Sequence, residues 1–92
     1  MQKNIASTLQ LFNVFPNPAK NQAQLNYFAP TNYLAKAKIT NIEGKLIKEW
    51  PVTMQEGYGA INLNIDNLTK GQYFLSIETK SFTKTKQFIV YE

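Results

Sequence analysis

A side-chain alternation of period two, broken at short intervals by proline, glycine and asparagine, constrains this chain more than any other feature. Ala35, Ala37 and Ile39 alternate with Lys36, Lys38 and Thr40. Ile61, Leu63 and Ile65 alternate with Asn62 and Asn64, and Tyr73, Leu75 and Ile77 share one face of residues 72–78. A strand points successive side chains to opposite sides, so each run makes one wet face and one dry face. No stretch carries a convincing helical period.

The remaining segments follow the same grammar. Residues 1–10 show no clear period and read as a linker or leader, leaving residues 11–92 as one domain. Residues 11–15, Leu-Phe-Asn-Val-Phe, carry apolar side chains on both faces. That pattern predicts a strand buried on both sides for at least part of its length. Pro16-Asn17-Pro18 then stops it, because neither proline donates to a ladder and each biases its predecessor away from helix. Residues 22–27 form a half-buried strand with Ala23, Leu25 and Tyr27 inward. Glu43-Gly44 makes a hairpin corner between residues 34–42 and 45–52, with Gly44 free to take positive φ. Leu46 and Trp50 fall on one face of the second strand and Ile47 on the other, and Pro51 predicts a sheet edge. Residues 55–59 place two glycines around Tyr58 and read as a loop. Residues 66–71 are a compact turn with Leu68 plugging the core beneath it. In the last strand, residues 82–91, Phe88 and Val90 are expected inward and Lys84 and Lys86 outward.

Six or seven short strands at roughly 10-residue spacing predict an all-β fold, an immunoglobulin-like antiparallel β-sandwich of about seven strands. Its expected core contains Leu25, Ile39, Leu63, Leu68, Tyr73, Leu75 and Phe88. A chain of 92 residues buries only about 60–65% of its unfolded surface, so that core is thin.

Chemistry is limited by what is missing. The chain has no cysteine and no histidine, which removes disulfides, thiol nucleophiles, imidazole bases and the usual zinc sites. No nucleophile, base and oxyanion site assemble, so no catalytic residue, metal ligand or cofactor is assigned. The net charge of +4 comes with ten basic residues, all lysine. Without arginine, bidentate reading of guanine or phosphate is absent. The lysines are also spread along the chain, and no nucleic-acid partner is expected. No apolar run is long enough for a membrane span. Residues 1–10 are too polar for a secretory signal, so an export signal would lie upstream on a longer parent chain. Asp66 beside Asn67 reads as a turn rather than a calcium site. Asn67-Leu68-Thr69 fits a glycosylation sequon, for which the turn role suffices. Trp50 reads as core or edge packing, while Tyr58 on its glycine-flanked stretch is equally suited to stacking on a sugar.

Four pieces in one order carry a family resemblance. Val14-Phe15-Pro16-Asn17-Pro18 resembles the N-terminal hallmark of the type IX secretion C-terminal sorting domain of Bacteroidetes. Residues 39–45, Ile-Thr-Asn-Ile-Glu-Gly-Lys, are similar to that family's strand and polar-Gly-Lys hairpin. Residues 63–71 followed by Gln72-Tyr73-Phe74-Leu75-Ser76-Ile77 resemble its turn, Gly-x-Tyr, strand signature, and residues 84–90 its closing lysine-rich strand. The resemblance implies a non-catalytic address label at the C-terminus of a larger cargo protein. Its implied partners are an N-terminally attached cargo domain and outer-membrane type IX secretion components, including a shuttle protein and a sortase-like peptidase that removes the label. The implied route is through the periplasm to the cell surface or the medium. The implied recognition residues are Pro16, Asn17, Pro18, Gly44, Gly71, Tyr73, Lys84, Lys86, Phe88 and Val90. The rival reading is an immunoglobulin-like adhesion or carbohydrate-binding module of a surface protein.

Overall fold

The computed structural model describes residues 8–16 and 21–91. Seven strands follow one another: β1 (Gln10–Phe15), β2 (Gln22–Ala29), β3 (Tyr33–Asn41), β4 (Leu46–Met54), β5 (Gly57–Asn64), β6 (Gly71–Glu78) and β7 (Thr83–Val90). They pair antiparallel throughout. A three-stranded sheet has the order β1-β2-β5 and a four-stranded sheet the order β4-β3-β6-β7. No helix occurs among the described residues. This is the immunoglobulin-like sandwich that the alternation predicts, with the dry faces of both sheets turned toward each other.

The core follows from the pairing. Leu25 opposes Ile61 across β2 and β5, while Ile39 opposes Leu75 across β3 and β6. These four side chains are buried, as are Leu63, Tyr73 and Phe88. Leu68 is half-buried and packs on the core from the turn below. Charged neighbours on the opposite face of the four-stranded sheet pair instead with each other. Lys36 Nζ lies 3.3 Å from Glu49 Oε2, and Lys38 Nζ lies 3.1 Å from Glu78 Oε1.

Five local expectations are corrected. First, β1 is not buried on both faces; it is an edge strand. Its register with β2 shifts between Leu11 and Val14. Two residues of β1 therefore occupy one step, and both Leu11 and Val14 turn toward the core, leaving Phe12 and Phe15 exposed. Second, a similar shift where β4 passes Ile39 and Thr40 brings Ile47 and Trp50 against the core and leaves Leu46 exposed. Third, residues 57–59 belong to β5 rather than to a loop. Fourth, Leu9 is fully buried and Gln10 opens β1, so packing begins inside the stretch that reads as a leader. Fifth, Lys84 and Lys86 do not face outward. Cross-strand partners share a face, and β6 pairs Lys84 with Ile77 and Lys86 with Leu75, both buried. Residues 84, 86, 88 and 90 differ by two, so an unbulged strand cannot split them between faces. The two lysines are half-buried where β7 meets Leu9 and Leu11 of the β1 edge.

Pro51 lies in β4, at the edge that it predicts. Two crossings between the sheets, residues 30–32 and 55–56, are tied together by Asn32 Oδ1, which accepts the Glu56 N–H at 2.7 Å.

Candidate functional site

The antiparallel order gathers distant pieces of sequence at one end of the sandwich. Asn41, which ends β3, opposes Tyr73 near the start of β6. Gly71, which opens β6, opposes Val90, which closes β7. Gln22 opposes Asn64, so the end of β5 and the start of β2 lie at this end too. Phe15 pairs with Gln24, which brings Pro16 to the same end. The start of β1 lies at the other end, where Gln10 pairs with Phe28.

Two of the connections at this end are held by short-range bonds. Asn41 organises the β3–β4 corner. Its Oδ1 accepts the N–H groups of Glu43 at 2.9 Å and Lys45 at 3.0 Å. Its carbonyl accepts the Gly44 N–H at 3.0 Å. Gly44 has φ +86°, a left-handed conformation that costs a residue with a Cβ. Residues 65–70 cross between the sheets. There the Leu68 N–H donates to the Ile65 carbonyl at 3.1 Å, and Asn64 Oδ1 accepts the Asp66 N–H at 3.2 Å. Tyr73 braces this crossing from below: its hydroxyl donates to the Thr69 carbonyl at 2.7 Å. Its ring stacks on Phe88 with centroids 5.9 Å apart. An open cleft of about 380 Å³ is lined by Asn21, Asp66, Leu68, Thr69, Lys70, Val90 and Tyr91.

Of the residues that sequence reasoning assigns to recognition, Pro16, Gly44, Gly71, Tyr73, Phe88 and Val90 therefore converge on one end. They do so in different capacities. Tyr73, Phe88 and Val90 are buried and shape the surface from beneath, whereas Pro16, Gly44 and Gly71 are exposed. Asn17 and Pro18 lie outside the described residues. Lys84 and Lys86 sit apart, beside β1, where Thr8, Leu9, Gln10, Leu11 and Phe12 complete the surroundings. Asn41 and Thr69 are the contributors that sequence reasoning missed. Asparagine at the head of a Gly-containing turn was a legible signal for the first. Thr69 stands four residues before Tyr73 and takes part through its backbone carbonyl, which no side-chain pattern marks.

The other singled-out residues distribute as follows. Trp50 is half-buried against the core. Tyr58 is exposed on the outer face of the three-stranded sheet. Among the described residues, no group of three acidic side chains is placed to hold a metal ion. No described helix is long and apolar enough to cross a membrane.

Comparison with known proteins places this arrangement. The family model described as the secretion system C-terminal sorting domain matches residues 13–91. No curated protein matches the chain. Among solved structures, the crystal structure of a β-glucosidase from Kluyveromyces marxianus is similar with a TM-score of 0.50 and 12% identity. That likeness covers 94% of this chain but only 15% of the glucosidase, and it shows the fold alone.

Proposed function

Since this chain belongs to the secretion system C-terminal sorting domain family, we propose that it acts as a folded, non-catalytic export label of the type IX route. In this reading a cargo protein precedes β1. Secretion components of the outer membrane, a shuttle protein and a sortase-like peptidase among them, read the label, and the peptidase removes it. The cargo passes through the periplasm to the cell surface or the medium. The label itself needs no cofactor.

One observation carries the reading beyond family membership. The start of β1 and the close of β7 lie at opposite ends of the sandwich. A cargo attached before β1 therefore leaves the Gly44 turn, residues 65–70 and the end of β7 clear of its bulk. Gly44, Gly71, Tyr73, Phe88 and Val90 hold the shape of that end, Pro16 borders it, and Lys70 and Tyr91 offer exposed groups. Lys84 and Lys86 contribute through the seam between β7 and β1.

The test is a passenger fused before residue 8, carrying an upstream Sec signal, in a Bacteroidetes host with a working type IX apparatus. Passenger in the medium or on the surface is measured against passenger held in the periplasm. The intact fusion is expected to export. A Lys70→Ala/Tyr91→Ala variant, altered only at exposed positions, is expected to fold and to export poorly. A Lys36→Gln variant on the outer face of the other sheet is expected to export normally. An intact fusion that folds and stays periplasmic refutes the sorting role.

A further inference from the structure

The outer face of the three-stranded sheet is built unlike the rest of the surface. At one end Phe28 and Tyr58 oppose each other across β2 and β5. Their ring centroids are 4.9 Å apart. The Phe12 ring, turned outward by the β1 bulge, lies 6.5 Å from Tyr58, with an interplanar angle of 21°. Tyr58 is 81% exposed and Phe12 39% exposed. The registers then continue as Asn26 opposite Ala60, Gln24 opposite Asn62 and Gln22 opposite Asn64. Gln24 Nε2 donates to Asn26 Oδ1 at 3.2 Å, which fixes one amide in orientation. None of these residues is a lysine or a carboxylate. The outer face of the other sheet, by contrast, carries the Lys36–Glu49 and Lys38–Glu78 pairs.

We propose that this face is a binding site for a neutral saccharide chain. The near-parallel Phe12 and Tyr58 rings offer an apolar platform to the C–H face of a sugar ring, and the Asn26, Gln24 and Asn62 amides, each both donor and acceptor, meet its hydroxyls. The small Ala60, opposite Asn26, separates the rings from the amides along the face. A ligand without charge matches the uncharged side chains that the described residues of β2 and β5 turn outward, with Lys48 and Glu49 standing at the border beside Asn62 and Asn64. A second protein copy matches it less well. An aromatic side chain buries about 150–250 Å² when fully covered. Three rings that are already partly covered fall short of the roughly 800 Å² per partner of a standard interface. The platform is also held in place. Asn32 ties the crossing that leads into β5, and Tyr27 packs beneath Gly59, next to Tyr58.

The experiment titrates the whole isotope-labelled chain with two neutral oligosaccharides, maltoheptaose and laminariheptaose, and follows the amide resonances. Shifts are expected at Tyr58 and at the side-chain amides of Gln24, Asn26 and Asn62, unchanged by added salt. Tyr58→Ala, at an exposed position, is expected to weaken binding about tenfold with the fold intact. Tyr58→Phe is expected to keep it, because the ring is the contact. The proposal is overturned if neither sugar shifts these resonances at millimolar concentration. It is equally overturned if the shifts map to the lysine-bearing sheet, or if the face mediates a dimer that Tyr58→Ala dissolves. Export of a passenger is read separately, so loss of sugar binding leaves the sorting role standing.

Discussion

At the residue scale, the least replaceable positions pair a small or polar feature with an aromatic ring. Gly59 opposes Tyr27 across β2 and β5. A Cβ added at Gly59 would collide with the phenol end of Tyr27, and Tyr27 is buried and cannot swing away cheaply. Gly59→Ala is therefore expected to destabilise by about 1–3 kcal/mol, the usual cost of overpacking, read as a lowered Tm. Tyr73 shows the opposite dependence, on a single hydroxyl. Tyr73→Phe keeps the stack on Phe88 and loses the bond to the Thr69 carbonyl. The expected cost is about 1 kcal/mol. Urea denaturation at equal m-values measures it.

At the element scale, the described strands leave four sheet edges, at β1, β5, β4 and β7. Sheet edges invite strand addition, and each of these carries a feature that discourages it. β1 is bulged between Leu11 and Val14. β4 contains Pro51. On β5 the Asn64 carbonyl accepts from Lys48 Nζ. β7 turns Lys84 and Lys86 inward, where a partner strand would have to bury them. Their placement explains a closing strand rich in lysine without requiring the charges to be displayed outward. Replacing both, Lys84→Val/Lys86→Val, is expected to leave the melting temperature unchanged or higher while the chain begins to self-associate. Sedimentation velocity decides: a variant that stays as monomeric as the parent shows that the lysines do not guard this edge.

At the scale of the whole molecule, a thin core makes the last strand indispensable. Phe88 and Val90 are 1% and 3% exposed, and β7 is hydrogen-bonded to β6 along its whole length. Phe88→Ala is expected to cost about 3–5 kcal/mol. Domains of this size are stable by only about 5–15 kcal/mol. Deleting residues 86–92 removes both anchors and is expected to abolish the cooperative thermal transition in circular dichroism. Such a truncated label would fail to export because it does not fold. The exposed variants at Lys70 and Tyr91 are therefore the informative ones for recognition.

The linear order of residues by itself determined the number of strands, most of their turns and most of the core. Those depend on a local rule, the alternation of apolar and polar side chains between residues that break a strand. The same order also carried the family pattern from Val14 to Val90. Only the tertiary structure decided where alternation is interrupted. The bulges of β1 and β4 depend on neighbouring strands, and they move Leu11, Ile47 and Trp50 to the core and Phe12 and Leu46 to the surface. Lys84 and Lys86 were misplaced for the converse reason, since a regular strand keeps them on the face of Phe88 and Val90. Tertiary pairing also placed Gly44, Gly71 and Val90 at one end and Phe12, Phe28 and Tyr58 in one patch. Antiparallel registers join residues tens of positions apart, and no local pattern of side chains encodes which edges will meet.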